Sequence, residues 1–261
     1  MGDDGQTAPA PLLEAVGITK RFAGIAALID VSVSVDRGAC VALIGPNGAG
    51  KSTLFNCMAG VTRPDRGIVR FDGHDLGRMP PYRRARLGLA RTFQQMELFG
   101  GLTVLDHVVV SVRSERRAGG LVRDLTGRSR PTRDELDRCH AILGLVGLEA
   151  DADRPVEQLS LGRARVVELA RALVREPKLL FLDEPSSGLD LDETDAMGTV
   201  IESIRADRDV AVLLCEHDVA FVRRLATRTS VLDCGRLIAE GPTAEVLDRP
   251  EVRQAYVGTV A

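Results

Sequence analysis

No run of about 18 apolar residues, the length needed to span a bilayer, occurs in the 261 residues. Any membrane role is therefore expected to run through a partner. Paired cysteines are missing as well. The five cysteines (Cys40, Cys57, Cys139, Cys215, Cys234) make no C-x-x-C unit and are odd in number, which argues for a reducing, cytosolic setting. Cys40, Cys57 and Cys215 stand among apolar neighbours, as small buried hydrophobes do. His74, His107, His140 and His217 are too far apart for a metal-ligand spacing. An excess of positive charge is absent too: the net charge is −3, against a dedicated nucleic-acid binder. Lysine occurs only at 20, 51 and 178, so nearly all of the basic residues are arginine. The start, MGDDGQTAPAP, is acidic and polar where a secretory signal is basic and then apolar, so no signal is expected. Residues 1–10 read as a disordered tail. No internal repeat is visible.

What is present is ample material for a core, with 44% hydrophobic residues, enough for one large domain with a smaller inserted part. The stretch Val41–Thr53, VALIGPNGAGKST, organises the rest. It reads as a buried strand, a glycine-rich turn and the start of a helix. Gly45, Pro46, Asn47, Gly48, Ala49, Gly50, Lys51 and Ser52 fit the phosphate-loop pattern G-x-x-x-x-G-K-[ST]. Glycines at 45, 48 and 50 let backbone N–H groups turn inward where side chains would block a phosphate chain. The helix that follows adds its positive dipole end. Lys51 supplies a mobile charge for the terminal phosphates, and the Ser52 hydroxyl can ligate Mg²⁺.

Leu12 to Val35 alternates as strands do, and Ile68 to Asp72 with the Asp72-Gly73 turn reads as a hairpin. Residues 98–158 are mostly helical in pattern and read as a helical insertion, with a solvated, arginine-rich loop over Arg113–Glu135. Beyond Leu159, helices (163–176, 192–206, 218–226, 243–247) alternate with strands (179–183, 210–215, 229–233, 236–239). Such alternation predicts an α/β fold, and the phosphate-loop pattern over Gly45–Ser52 makes it one of the P-loop NTPase kind. The expected layout over 11–258 is a mainly parallel sheet, an N-terminal antiparallel β subdomain and the helical insertion.

Further segments carry chemistry. LLFLDEP (179–185) is an apolar strand that delivers Asp183, placed to hold Mg²⁺, and Glu184, which can accept a proton from the water attacking a γ-phosphate. LSLGRARVVELARAL (159–173) puts Ser160 and Gly162 at a helix N-terminus, either an anion-binding device or a plain cap. His217, after the apolar strand ending at Cys215, projects at the same sheet edge and fits a phosphate contact better than a structural histidine. Phe22 offers a face on which adenine can stack; a buried core phenylalanine is the rival.

Taken together these residues resemble the nucleotide-binding subunits of the ATP-binding cassette (ABC) transporters, from about residue 12 to 258. GPNGAGKST corresponds to the Walker A motif, with Thr53 closing it, and LLFLDEP to Walker B. SSGLD (186–190) resembles the D-loop, LSLGR the family signature LSGGQ, and RTFQQ (91–95) the Q-loop with Gln94. The resemblance implies ATP and Mg²⁺ as ligands, with Ser52, Gln94 and Asp183 toward the metal and Glu184, His217 and Gln94 catalytic. It implies a head-to-tail pair with a second ATPase subunit, identical or related, in which Ser160 and Gly162 reach the partner's nucleotide and Asp190 links the sites. Transmembrane permease subunits, a solute-binding protein acting indirectly, and the cytoplasmic face of the membrane follow in the same way, with no nucleic acid. Leu161 and Arg163 depart from the signature. RTFQ, the longer insertion and RPEVRQAYVG (249–258) resemble the ATPases of branched-chain amino acid importers. Alternatives are the ATPase of a lipid or lipopolysaccharide exporter and a weakly catalytic ATP-binding partner subunit.

Overall fold

The computed structural model describes residues 10–92, 98–113 and 131–257. At its centre is a six-stranded sheet of β3 (Cys40–Ile44), β6 (Leu89–Arg91), β7 (Leu179–Asp183), β8 (Ala211–Cys215), β9 (Arg228–Asp233) and β10 (Arg236–Pro242), in the order β10-β9-β3-β8-β7-β6. All neighbours in it are parallel except β9 and β10. A second, antiparallel sheet is built from β1 (Leu13–Phe22), β2 (Ile25–Val35), β4 (Arg66–Phe71) and β5 (His74–Asp75), in the order β2-β1-β4-β5.

The central strands are apolar on both faces because both faces are covered. In β3, Cys40, Ala42 and Ile44 belong to one hydrophobic cluster and Val41 and Leu43 to the other. β7 divides in the same way, Leu180 and Leu182 facing one cluster and Leu179 and Phe181 the other. The first cluster is closed by the helices α3 (Val104–Arg113), α4 (Arg133–Leu145), α5 (Leu161–Leu173), α6 (Leu191–Asp207) and α7 (Val219–Leu225). The second is closed by the antiparallel sheet and α1 (Lys51–Ala59), with Phe55 packed on Phe181 at 4.8 Å between ring centroids. Every residue of β3, β7 and β8 is buried, so the edge where these strands end is fixed rigidly.

Local signals set the helix limits. Gly60, at φ 83, ends α1. A capping box of Thr132 and Glu135 starts α4. Ser160 caps α5 at its N-terminus, so that helix begins at Leu161 rather than at 163, and it stops at Leu173, ahead of Pro177. Its apolar positions 166, 169, 170 and 173 are buried as the period required. Met197, Ile201 and Ile204 of α6 are buried and Val200 partly so. The short α2 (Pro81–Arg86), and α8 (Thr243–Leu247) followed by α9 (Pro250–Val257), complete the α-helices described, beside two 3-10 turns at Glu149–Asp151 and Val156–Gln158.

The arginine-rich 113–135 segment is described only at its ends. There Arg113 is tucked against buried Glu135 at 3.2 Å rather than solvated. Burial of Cys40, Cys57 and Cys215 agrees with their apolar surroundings; Cys139 is buried as well, Cys234 is exposed, and all five are free thiols. Among the described residues no helix is long and apolar enough to cross a membrane, and no cluster of metal-ligating side chains occurs. The tail expected over residues 1–10 lies, but for Ala10, outside the described residues.

Candidate functional site

β3 runs into the phosphate loop with Gly45, Gly48 and Gly50 at φ 147, 80 and 103. Two of these glycines are also demanded by packing. A Cβ on Gly45 would lie 2.1 Å from the Leu232 carbonyl oxygen, and one on Gly50 2.6 Å from that of Ala27. Lys51 is buried and curls back, its Nζ donating to the carbonyls of Gly45 at 2.7 Å and Pro46 at 3.0 Å. The loop thus wraps its own ammonium, which a phosphate chain would engage in turn. Ser52 is exposed on the first turn of α1. An open cleft of 740 Å³ lies along Pro46–Ala49, bounded by Asp233, Cys234 and α9.

The carboxylates stand on the same edge. Leu43 of β3 is paired with Cys215 of β8, and Cys215 with Asp183 of β7. The phosphate loop, the Glu216-His217 turn and Asp183-Glu184 therefore leave three neighbouring parallel strands side by side. Asp183 is 2% exposed. Its Oδ2 accepts from Arg91 Nη2 at 2.8 Å, while its Oδ1 is buried without a partner. A buried carboxylate oxygen with no donor, beside a phosphate loop, is what a Mg²⁺ site leaves open.

Glu184 is held in the left-handed region, at φ 49, a conformation that costs a non-glycine residue about 1 kcal/mol or more. Hydrogen bonds hold it there. Its N–H donates to Cys215 O at 2.8 Å, and its carbonyl accepts from Ser187 N at 3.1 Å and Arg165 Nη1 at 3.4 Å. Arg165 also reaches Ser187 O at 2.6 Å. The next turn is organised by Glu216, which is fully buried. Its Oε1 accepts from the Ser186 N–H (2.9 Å) and hydroxyl (2.5 Å), and its Oε2 from the His217 N–H at 2.9 Å. That leaves the His217 side chain 54% exposed at the edge.

Phe22 is 49% exposed at the end of β1, with Lys20 Nζ 5.3 Å from its ring centroid. It is not a core residue. The hairpin it belongs to packs on the loop through Ala27 and Leu28, which approach Gly50.

Ser160, Gly162 and Asp190 form a separate group. Ser160 and Asp190 are the N-caps of α5 and α6, Asp190 accepting from Glu193 N at 2.8 Å. Gly162 N–H donates to Glu193 Oε1 at 3.1 Å, which joins the two helix starts. Among the described residues, no hydrogen bond or ion pair links these three to the phosphate loop. Arg163 turns away from the helix start, onto Asp151 Oδ2 at 2.5 Å and Gly147 O at 3.2 Å. Gln94 lies outside the described residues.

The sequence reading passed over Arg91, Arg165, Glu216 and Tyr256. Tyr256, on α9, accepts the Gly45 N–H at 2.9 Å through its hydroxyl. Arg91 closes a strand too short to show a period, and its register with Phe181 sets it two residues short of Asp183. The others act through long-range contacts that no spacing encodes.

Residues 28–187 match the family model described as ABC transporter. The high-affinity branched-chain amino acid transport ATP-binding protein BraF of Pseudomonas aeruginosa is 36% identical over 95% of this chain and 98% of its own. The LivG protein of Escherichia coli, of the same description, is 35% identical over the same shares. Among solved structures, an ATP-binding cassette of an ABC transporter in its ADP conformation superposes with a TM-score of 0.85 at 29% identity, covering 95% of this chain and 99% of that one. A nucleotide-free cassette gives 0.83 at 28%. With a phosphate loop and a paired-carboxylate strand on one sheet edge, in a fold shared along nearly its whole length with these proteins, the chain belongs to the ABC transporter family as an ATP-binding subunit.

Proposed function

We propose that this subunit hydrolyses ATP to ADP and phosphate and so powers uptake of branched-chain amino acids, or similar small polar solutes, through a separate membrane permease. The observation that carries the reading is the Leu43–Cys215–Asp183 register, which aligns the phosphate loop, His217 and Glu184 on one edge. The identity with BraF and LivG over 95% of the chain supports the solute class. Permease subunits, a solute-binding protein acting through them, and a peripheral place on the cytoplasmic face belong to the same reading.

The phosphate-loop backbone from Gly45 to Gly50, Lys51 and Thr53 bind the triphosphate, and Phe22 stacks on adenine. Ser52 and Asp183, with Gln94, hold Mg²⁺, which supplies charge neutralisation on the phosphate oxygens. Glu184 takes the proton of the attacking water, and His217 contacts the terminal phosphate. Ser160 and Gly162 address the nucleotide of a second subunit, identical or related, and Asp190 lies between the two sites.

Glu184→Gln tests this. Phosphate release is expected to fall at least about 100-fold, with ATP binding kept and a dimer accumulating on size exclusion. Undiminished turnover in that variant overturns the assignment of the base. Assay of the complete complex with candidate solutes then reads the cargo, since only the cognate solute raises its ATPase rate.

A further inference from the structure

Asp183 is not a free carboxylate waiting for a metal. It already has a cation, and that cation is built into the sheet. Arg91 ends β6, and its guanidinium spans two partners: Nη2 donates to Asp183 Oδ2 at 2.8 Å and Nη1 to Asn56 Oδ1 at 2.7 Å. Its Cζ lies over the Phe55 ring, 5.5 Å from the centroid. Asp183 is 1% exposed at its side chain and Arg91 16%, so water screens this pair little. Asn56 and Phe55 both belong to α1, the helix that begins at Lys51 and carries Ser52. One guanidinium thus ties the phosphate-loop helix to the carboxylate-bearing strand.

Two consequences follow from the charge and the geometry. The fork consumes Oδ2 and leaves Oδ1 alone with its capacity unfilled, so the carboxylate presents a single oxygen in a fixed direction. The guanidinium also cancels the charge that a divalent ion would otherwise meet in full. We propose that Arg91 is the internal counter-ion of Asp183, a positioning residue that orients one carboxylate oxygen and holds down the affinity of the site for a divalent cation. A metal that arrives without nucleotide meets a compensated carboxylate and binds poorly; one that arrives on ATP brings phosphate charge of its own and binds. The inference rests on the reading of Asp183 as a metal-holding residue.

The experiment is a Mn²⁺ titration, read by the electron paramagnetic resonance of free Mn²⁺, on the full chain with a non-hydrolysable ATP analogue and without it. Arg91→Gln removes the charge and keeps one donor; its Mn²⁺ affinity is expected to rise about tenfold, most visibly without nucleotide. Arg91→Lys restores the charge and is expected to stay within about twofold of the parent. If Arg91→Gln does not fold, Arg91→Met serves, because it removes the charge and keeps an apolar stem beside the Phe55 ring. A rise of about tenfold is again expected. Unchanged or weaker Mn²⁺ binding in whichever variant folds, with the parent chain binding normally, overturns the counter-ion role alone. A parent chain that takes up no Mn²⁺ with the analogue overturns the metal assignment of Asp183 and this inference with it. A residue of merely structural importance would weaken metal binding or leave it alone; only a competing cation makes its own removal tighten it.

Discussion

The first glycine of the phosphate loop is served twice, and both contacts come from side chains. Lys51 Nζ binds its carbonyl at 2.7 Å and the Tyr256 hydroxyl accepts its N–H at 2.9 Å. The second contact spans 211 residues of chain, so the last helix described holds the entrance of the loop. Burial pushes the phenol up to about 12, which keeps it neutral well past its ordinary range. Tyr256→Phe should leave the packing in place and deprive the Gly45 N–H of its acceptor, at a cost of about 1–2 kcal/mol in urea unfolding. Burial of the neutral phenol, not the Gly45 hydrogen bond, raises the folded pKa, so the parent keeps its full stability below about pH 10 and loses it as the pH rises toward 12 and the buried phenol must ionise. The parent and variant unfolding curves should therefore converge in strong base and differ at neutral pH. Equal stability at pH 7 would show that the hydroxyl adds nothing. None of this was legible in RPEVRQAYVG, which marked the family resemblance but not a contact with the loop.

Among the elements, Arg84 of α2 does for the far end of α1 what a phosphate bound at the loop would do for the near end. It is 3% exposed, and its guanidinium donates to the carbonyls of Cys57 (3.1 Å), Met58 (2.7 Å), Leu76 (3.3 Å) and Met79 (2.8 Å). The first two belong to the last turn of α1, whose carbonyls carry the negative end of the helix dipole. Arg84→Met fills similar volume but leaves the Met58 and Met79 carbonyls without their donor, while Cys57 and Leu76 keep the N–H groups of Gly60 and Met79, so a loss of about 2–3 kcal/mol is expected, read as a lower urea midpoint. ATP affinity of the folded fraction should change less than stability does, because the loop itself is untouched. Elements of this kind divide the legible from the illegible. β3, β7 and β8 were readable as short apolar runs with turns after them, and their limits fell within a residue or two of those expected. The helix start at Ser160 was readable because a cap is a local event, whereas the helix capped by Asp190 was expected from 192 and begins at Leu191. In contrast α2 and β6 are too short to show a period, and the turn at Ala23 and Gly24, with φ of 45 and 88, lacks the Asn-Gly or Asp-Gly that announces such a hairpin. The arginines at 84 and 91 are set by packing between elements, which a linear pattern does not hold.

On the scale of the molecule, what makes the site rigid is that the antiparallel sheet is fastened to the parallel sheet whose edge carries Asp183, Glu184 and His217. The antiparallel sheet covers one face of the parallel sheet through a shared apolar cluster, and one polar fastening stands at its rim. Asp72, in the hairpin between β4 and β5, is paired with Lys178, the residue before β7, and with Arg37, in the turn before β3. The carboxylate thus reaches the starts of both strands that carry the candidate chemistry at their far ends. Hydrogen bonds from Lys178 and then Arg37 lower its pKa to about 2. A depressed carboxylate stabilises the fold above its unfolded pKa of about 4, and that stabilisation disappears as the pH falls toward 2. With allowance for solvent at the rim, it is worth about 1 kcal/mol. Asp72→Asn removes the charge but suits the backbone, since Asp72 sits at φ 49 and asparagine tolerates that region. The variant should be less stable than the parent at pH 7, the gap should narrow below pH 4, and it should be nearly closed at pH 2. High salt at pH 7 should shrink the same gap, because a pair at the rim is screened. Circular dichroism melts of both proteins across that pH range test the fastening. A gap that stays constant down to pH 2 would mean that Asp72 acts through the turn and not through its charge.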